Sequence, residues 1–276
     1  MAYANQLREA GRTRKALREY RALVYEWPES AEAPAAQLQF ANLLFERGQM
    51  SDAFTEYQFL VETYPGFFPY DQVIQRQVEI AEQVAAARHG FLFITWSNQE
   101  DAIPMFDKII QNAPTWDRAG KLQFRIGEIY EKTGEYELAI EAFTSLLIRY
   151  PASPHAEEAA FRRARCHIEL TRYYPNSTDI RARAAMAAAE FLQRFPRSRF
   201  GSEVQAYLDT LDRDQARALY ATARLYDRTG DHPASAILMY ERLLEDYPDS
   251  SLAEKARARL AALRPGPHKE THANPP

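Results

Sequence analysis

One set of intervals recurs along the chain. Gly134, Ala139, Phe143 and Pro151 are separated by five, four and eight residues. The same intervals join Gly11, Ala16, Tyr20 and Pro28, then Gly48, Ala53, Tyr57 and Pro65. Ser97, Ala102, Phe106 and Pro114 repeat them with Ser in the Gly slot. The match extends upstream. Gly127 and Tyr130 stand seven and four residues before Gly134, as do Ala4 and Leu7 before Gly11, Ala41 and Leu44 before Gly48, and Gly90 and Phe93 before Ser97. Six shared positions in four copies define a repeated unit. A chain built this way is restricted to folds assembled by stacking like parts.

The unit is helical. In GEYELAIEAFTSLLIRYP, residues Leu138, Ala139, Ala142, Phe143, Leu146 and Leu147 fall one, three and four apart, on one side of a helix. Glu135, Glu137, Glu141, Thr144, Ser145 and Arg149 form a solvated opposite side. Gly134 permits a bend before the helix and Pro151 stops it. Two less regular copies complete the set. One begins with Ala164 and His167 and ends with Ala184, Phe191 and Pro196, its halves separated by about eight extra residues around YYPNSTD. The other comprises Ala223, Tyr226, Gly230, Ala236, Tyr240, Leu243 and Pro248, with one extra residue in GDHPAS. The sum is six helix–turn–helix units with a core period near 34–37.

The residue types follow from packing. A small residue in each first helix lets its partner approach, and an aromatic one turn later fills the space between repeats. One helix pair cannot bury its apolar side alone, so neighbours must stack. The pattern resembles the tetratricopeptide repeat family over nearly the whole chain. That resemblance implies an all-α fold, a tetratricopeptide repeat superhelix (α-solenoid). Pro65 to Pro114 spans 49 residues and Pro196 to Pro248 spans 52, and the surplus is read as lying upstream of a first helix. Two extended helices are therefore expected, one running from about Tyr70 through PYDQVIQRQVEIAEQVAAARHGFLF and one from Ser202 to Thr229. The expected organisation is repeats 1 and 2 over 1–69, repeat 3 with its extended first helix over 70–119, repeats 4 to 6 over 120–264, and a Pro-rich disordered tail over 265–276.

Composition narrows the function. The 276 residues are 46% hydrophobic and 26% charged, with formal charge −4. Nothing general favours nucleic-acid or anionic-membrane binding. Basic clusters from Arg8 to Arg21 and at Arg162, Arg163 and Arg165 lie on predicted helices and read as solvated surfaces. Cys166 is the only cysteine, which excludes an intramolecular disulfide and suits a buried thiol. The histidines at 89, 155, 167, 232, 268 and 272 have no metal-ligand spacing. GFLFITW, the most apolar stretch, is far shorter than the ~20 residues that span a bilayer. Phosphate loop, nucleophile elbow and dinucleotide fingerprint are all missing. The expectation is a non-enzyme that uses no cofactor and no metal.

From about residue 120 to 262 the chain resembles the BamD family, lipoproteins of the outer-membrane β-barrel assembly machinery. The stretches that carry it are GEYELAIEAFTSLLIRYPASPHAEEAAFRRA and ARAAMAAAEFLQRFPRSRFGSEVQAYLDTLDRDQARALYATARLYDRTGDHPASAILMYERLLEDYPDSSLAEKA, with their YPASP, FPRSR and YPDSS endings. The resemblance implies a non-catalytic periplasmic scaffold, lipid-anchored at an N-terminal Cys. Its partners would be proteins or extended peptides, among them β-barrel assembly components and unfolded outer-membrane proteins. A lipobox Cys is not found, and the units number six where that family typically has five. The first repeat lacks the start of its first helix, which fits either a removed signal and anchor or a frayed native start. In the second case the chain would be cytoplasmic. A cytoplasmic tetratricopeptide adaptor and a cell-wall enzyme accessory are the competing readings.

In such a repeat array the first helices line the concave side, and their non-packing residues are the candidates for contact with a partner. Asn5 and Asn42 follow Ala4 and Ala41 and could hydrogen-bond an extended backbone. Glu128 holds the same place after Gly127, and Phe91 after Gly90. Leu38 and Phe124 are equivalent to each other one turn earlier, as are Arg88 and Arg125. The alternative is that these side chains cover neighbouring helices.

Overall fold

The computed structural model describes residues 1–86, 89–91, 94–96, 99–175, 177–230 and 232–264, with 89–91 and 94–96 described as backbone alone. Arg88, Phe93, Ser97 and the tail 265–276 lie outside the described residues. Two compact units are present, Met1–Cys166 and His167–Pro276. The first contains α1 (Ala2–Glu9), α2 (Thr13–Glu26), α3 (Ala33–Glu46), α4 (Met50–Thr63), α5 (Tyr70–Ala86), a ribbon of β1 (His89–Phe91) and β2 (Ile94–Trp96), α6 (Ile103–Asn112), α7 (Ala119–Thr133) and α8 (Tyr136–Arg149). Helix α9 (Ala156–Tyr173) crosses the boundary, and α10 (Thr178–Arg194), α11 (Gly201–Thr229), α12 (Pro233–Asp246) and α13 (Ala253–Leu263) belong to the second unit.

The repeated residues act at the corners. Gly11, Gly48, Gly134 and Gly230 follow first helices with φ between 70° and 85°, a left-handed conformation that costs glycine nothing. In repeats 1, 2 and 4 the next residue then closes the turn, as Glu135 N–H donates to Tyr130 O at 2.9 Å. Second helices end on the residue before proline, whose helical conformation the proline ring disfavours. Tyr64, Tyr150, Phe195 and Tyr247 occupy that place with φ from −123° to −135°. The Ser of each YP-x-S motif shapes the turn that leads into the next helix. Ser153, Ser198 and Ser250 donate their N–H to that aromatic carbonyl, and their Oγ accepts from the N–H two residues on at 3.1–3.3 Å.

Packing explains the small and aromatic positions. Ala16, Ala53, Ala139 and Ala236 are fully buried, as are Tyr20, Tyr57, Phe106, Phe143 and Tyr240. A Cβ added at Gly127 would lie 2.4 Å from Phe143 Cε1, so this crossing admits no side chain.

Repeat 3 departs from the expected register. Gln37, Gln77 and Gln123 are buried and stand four residues before Ala41, Ala81 and Gly127. Gln37 and Gln123 donate to the backbone carbonyls of Glu56 and Ala142, each nineteen residues on. The small residue of the third first helix is therefore Ala81, not Gly90. Ala81 to Ala102 spans 21 residues where Ala41 to Ala53 spans 12, so the nine extra residues (21 − 12) lie between the two helices. Helix α5 is longer than its 14-residue neighbour α3 and is described to Ala86, while His89–Phe91 form a strand and not the expected continuation of the helix. The antiparallel ribbon, with Gly90 opposite Thr95, takes up the insertion. Aromatic and β-branched residues favour a pleated strand over a helix. In repeat 6 the surplus is upstream as expected, in the 29-residue α11. The eight extra residues of repeat 5 lengthen α9 and α10 to 18 and 17 residues, and Ser177 Oγ caps α10 by accepting from Ile180 N–H at 3.3 Å.

Candidate protein-binding face of the first helices

Successive first helices of the first unit are tied side to side by arginines. Arg8 of α1 pairs with Glu46 of α3 at 2.7 Å. Arg76 of α5 lies over the Phe45 ring of α3, 4.8 Å from its centroid. Arg125 of α7 pairs with Glu82 of α5 at 3.3 Å, and Arg162 of α9 pairs with Glu128 and Glu131 of α7 at 3.1 and 2.9 Å. The second unit has its own rung, Arg259 of α13 on Asp227 of α11 at 2.7 Å. The more exposed of these pairs, such as Arg8 with Glu46, contribute little each, of order 0.2–1 kcal/mol. Their placement is the informative part: within each unit they lie between first helices, and in the first unit they mark one surface.

The centre of that surface is dense. Glu131, with its side chain only 10% exposed, takes Arg162 and Arg165 together and lies 3.7 Å from the buried Cys166 thiol. Phe124 is stacked on His155 with centroids 4.9 Å apart, and Arg162 lies over its ring. Burial works against the charge of Arg125, but Glu128 and Glu82 outweigh it and hold the guanidinium above its ordinary pKa. Glu158 and Glu131 do the same for Arg162 against the same burial cost. Glu82, Glu128, Glu131 and Glu158 face Arg125, Arg162 and Arg165, so the surface is mixed and close to balanced. It can offer hydrogen bonds of both senses to a peptide but presents no polyanion site.

The residues singled out in the sequence fall into three groups. Asn5 and Asn42 accept hydrogen bonds from the Tyr20 and Tyr57 hydroxyls at 2.7 and 2.6 Å. Their carbonyls are thus internal anchors, which leaves the amide nitrogen as the group a peptide carbonyl would meet. Leu38 is partly buried against the core and Phe124 is 5% exposed, so the covering role describes both. Arg125 and Glu128 do come together, at 2.8 Å, on the first-helix surface. Arg88 lies outside the described residues, and Phe91 lies on β1 rather than on a first helix.

Glu82, Glu131, His155 and Glu158 were not singled out as contact residues. The sequence expectation of solvated Arg162 and Arg165 does not hold, since each is paired with Glu131. The signal was present in the spacing: Glu131 lies four residues after Gly127, one helical turn along the same side. Among the described residues no group of three His, Cys, Asp or Glu is arranged to hold a metal ion, and no helix is long and apolar enough to cross a membrane.

Stacked helix pairs with a shared, polar first-helix surface define a tetratricopeptide-type scaffold for binding other proteins. A family model, YfiO, described as outer membrane lipoprotein, matches residues 88–263. This is well over half of the chain, and the chain belongs to that family. Residues 1–87, which hold the first two repeats, lie outside the match. Among solved structures the chain is similar to the C-terminal part of a TPR repeat-containing protein from Cytophaga hutchinsonii, at 16% identity, covering 92% of this chain and 98% of that one with a TM-score of 0.36. It is also similar to pilF of Pseudomonas aeruginosa, at 16% identity over 94% and 95% of the two chains with a TM-score of 0.31. A third is YrrB, described as a TPR protein with an unusual peptide-binding site, at 16% identity over 87% and 97% with a TM-score of 0.32.

Proposed function

We propose that this chain is a non-catalytic scaffold at the periplasmic face of the outer membrane, binding protein segments on its first-helix surface during β-barrel assembly. The observation that carries the reading is the family match over residues 88–263, which covers the central first helices α7, α9 and α11. The balanced charges around Arg125, Glu128 and Arg162 suit a peptide backbone with mixed side chains. Asn5 and Asn42 would offer amide nitrogens to the same chain further along. Membrane attachment would come from a lipid anchor, and partners would be assembly components and unfolded outer-membrane proteins.

The test is affinity capture from solubilised membranes of cells producing the full-length protein, with partners identified by mass spectrometry. Recovery of barrel-assembly components, reduced by Arg125→Glu with Glu128→Arg, is the expected result. Clean recovery of other envelope proteins without any assembly component would reject the barrel-assembly role. Recovery only from the cytosolic fraction would reject the location. A second reading, an envelope adaptor with a different task, is favoured by the two repeats that precede the matched region.

A further inference from the structure

We propose that the groove between α2 and α4 is a second docking site, and that it takes an acidic amphipathic protein segment. The groove encloses about 550 Å³. Its floor is apolar, made by Leu17, Phe40 and Leu44, and its two walls carry opposite charge. Arg14, Arg18, Arg21 and Tyr25 fall at intervals of four, three and four, so they form one exposed row along α2, away from buried Ala16 and Tyr20. Tyr25 is stacked on Phe59 of α4, with centroids 6.3 Å apart, and gives the row an aromatic end.

The charges on the two walls are not equivalent. On the acidic wall, Glu56 already accepts from Gln37 at 2.8 Å and Asp52 from Gln49 at 3.1 Å. On the basic wall, Arg18 and Arg21, with Arg14 one turn earlier on the same row, form no ion pair among the described residues, and Arg21 lies over the Tyr25 ring, 5.6 Å from its centroid. Residues 8–21 hold six Arg or Lys and two Glu, a net +4, so the rest of a chain of charge −4 sums to −8. The unmet demand is therefore for carboxylates on the α2 side, with aliphatic side chains laid on Leu17, Phe40 and Leu44. A concave apolar floor with acids on the far wall suits neither a flat bilayer nor a nucleic-acid backbone. The groove lies in the first two repeats, outside residues 88–263, so it stands or falls apart from the first-helix reading.

The probe is a fluorescent helical peptide with Leu along one side and Glu on its flank, compared with the same peptide carrying Lys for Glu. Anisotropy with the full chain at low salt should show the Glu peptide binding at least about tenfold more tightly, an advantage that falls as salt screens it. The combined Arg14→Glu, Arg18→Glu, Arg21→Glu variant should reverse the preference, and Tyr25→Ala should weaken the Glu peptide several-fold. Circular dichroism melts establish that each variant folds. If the Glu variant does not, Gln at the three positions should abolish the preference in a folded chain. No preference in the unmodified protein, or a preference that survives the arginine changes, overturns the proposal. So does sedimentation with phosphatidylglycerol vesicles through the same arginines while the two peptides bind alike.

Discussion

Repeats 2 and 4 use the same packing position and reach opposite polar outcomes. In repeat 2 the second-helix aromatic is Tyr57, buried with Ala41 in the same core, and it donates its hydroxyl to Asn42. In repeat 4 it is Phe143, whose ring lies so close to Gly127 that no Cβ fits. Phe143 has no hydroxyl to offer, and Glu128, the counterpart of Asn42, is left to pair with Arg125 and Arg162. In this pair of repeats, one oxygen on a buried ring separates a first-helix side chain whose oxygen is used inside the repeat from one whose oxygens pair with neighbouring first helices. The largest expected effect attacks the close approach itself. Gly127→Leu should destabilise the first unit by about 3 kcal/mol or more, since overpacking a filled crossing forces ring and backbone to shift. Ala41→Gly, where a Cβ is already accommodated, should cost only about 1 kcal/mol. Thermal melts that rank the two equally would break the comparison.

The polar half of the contrast predicts smaller effects. Glu131→Ala leaves Arg165 without its partner while Arg162 keeps Glu128 and Glu158. A cost of about 2 kcal/mol is expected, below that of a fully buried pair because both arginines reach solvent. Glu128→Ala, with a more exposed side chain, should cost less, and denaturant titration of both variants gives the order. Tyr57→Phe removes one hydrogen bond and should cost about 1 kcal/mol. Burial pushes the Tyr57 phenol up to about 12. Because folding favours the protonated phenol, its contribution is present below the ordinary tyrosine value near 10 and declines as pH rises from there. Spectrophotometric titration of the two proteins should differ by one phenol among the late-ionising tyrosines, which Tyr57→Phe deletes.

The repeat positions were legible because they face inward, where the same contact is remade in each unit. Glycine after a first helix, proline after a second and a small residue opposite an aromatic each have one physical use, so spacing alone located them. The intervals alone place the nine-residue insertion of repeat 3 upstream, because Gly90 and Phe93 fit them by coincidence. Buried Gln77 and Ala81 carry the true register, and Gln37 and Gln123, four residues before Ala41 and Gly127, hold the periodic signal for it. Candidate contacts were harder. Asn5 and Asn42 looked free because their partners, Tyr20 and Tyr57, lie fifteen residues on in another helix. Glu131 looked like one more surface carboxylate, since its two arginines belong to the next repeat.

The smallest effect tests whether ion pairs or packing hold α9 against α7. Cys166 is fully buried beside Glu131. Burial first, and the carboxylate second, push its thiol well above the ordinary range, with Arg165 working the other way. Folding therefore favours the protonated thiol, and its contribution is complete below the ordinary value near 8.5 and falls as pH rises beyond it. A thiol reagent at pH 8 should react with the folded protein far more slowly than with the denatured chain. Cys166→Ala should cost about 1 kcal/mol, the loss of one buried sulfur. In Glu131→Ala the charge beside the thiol is gone but its burial remains, so packing predicts only a modest rise in labelling rate. A rate approaching that of the denatured chain would mean that the arginine rungs, and not the aromatic and small residues, keep the two first helices together.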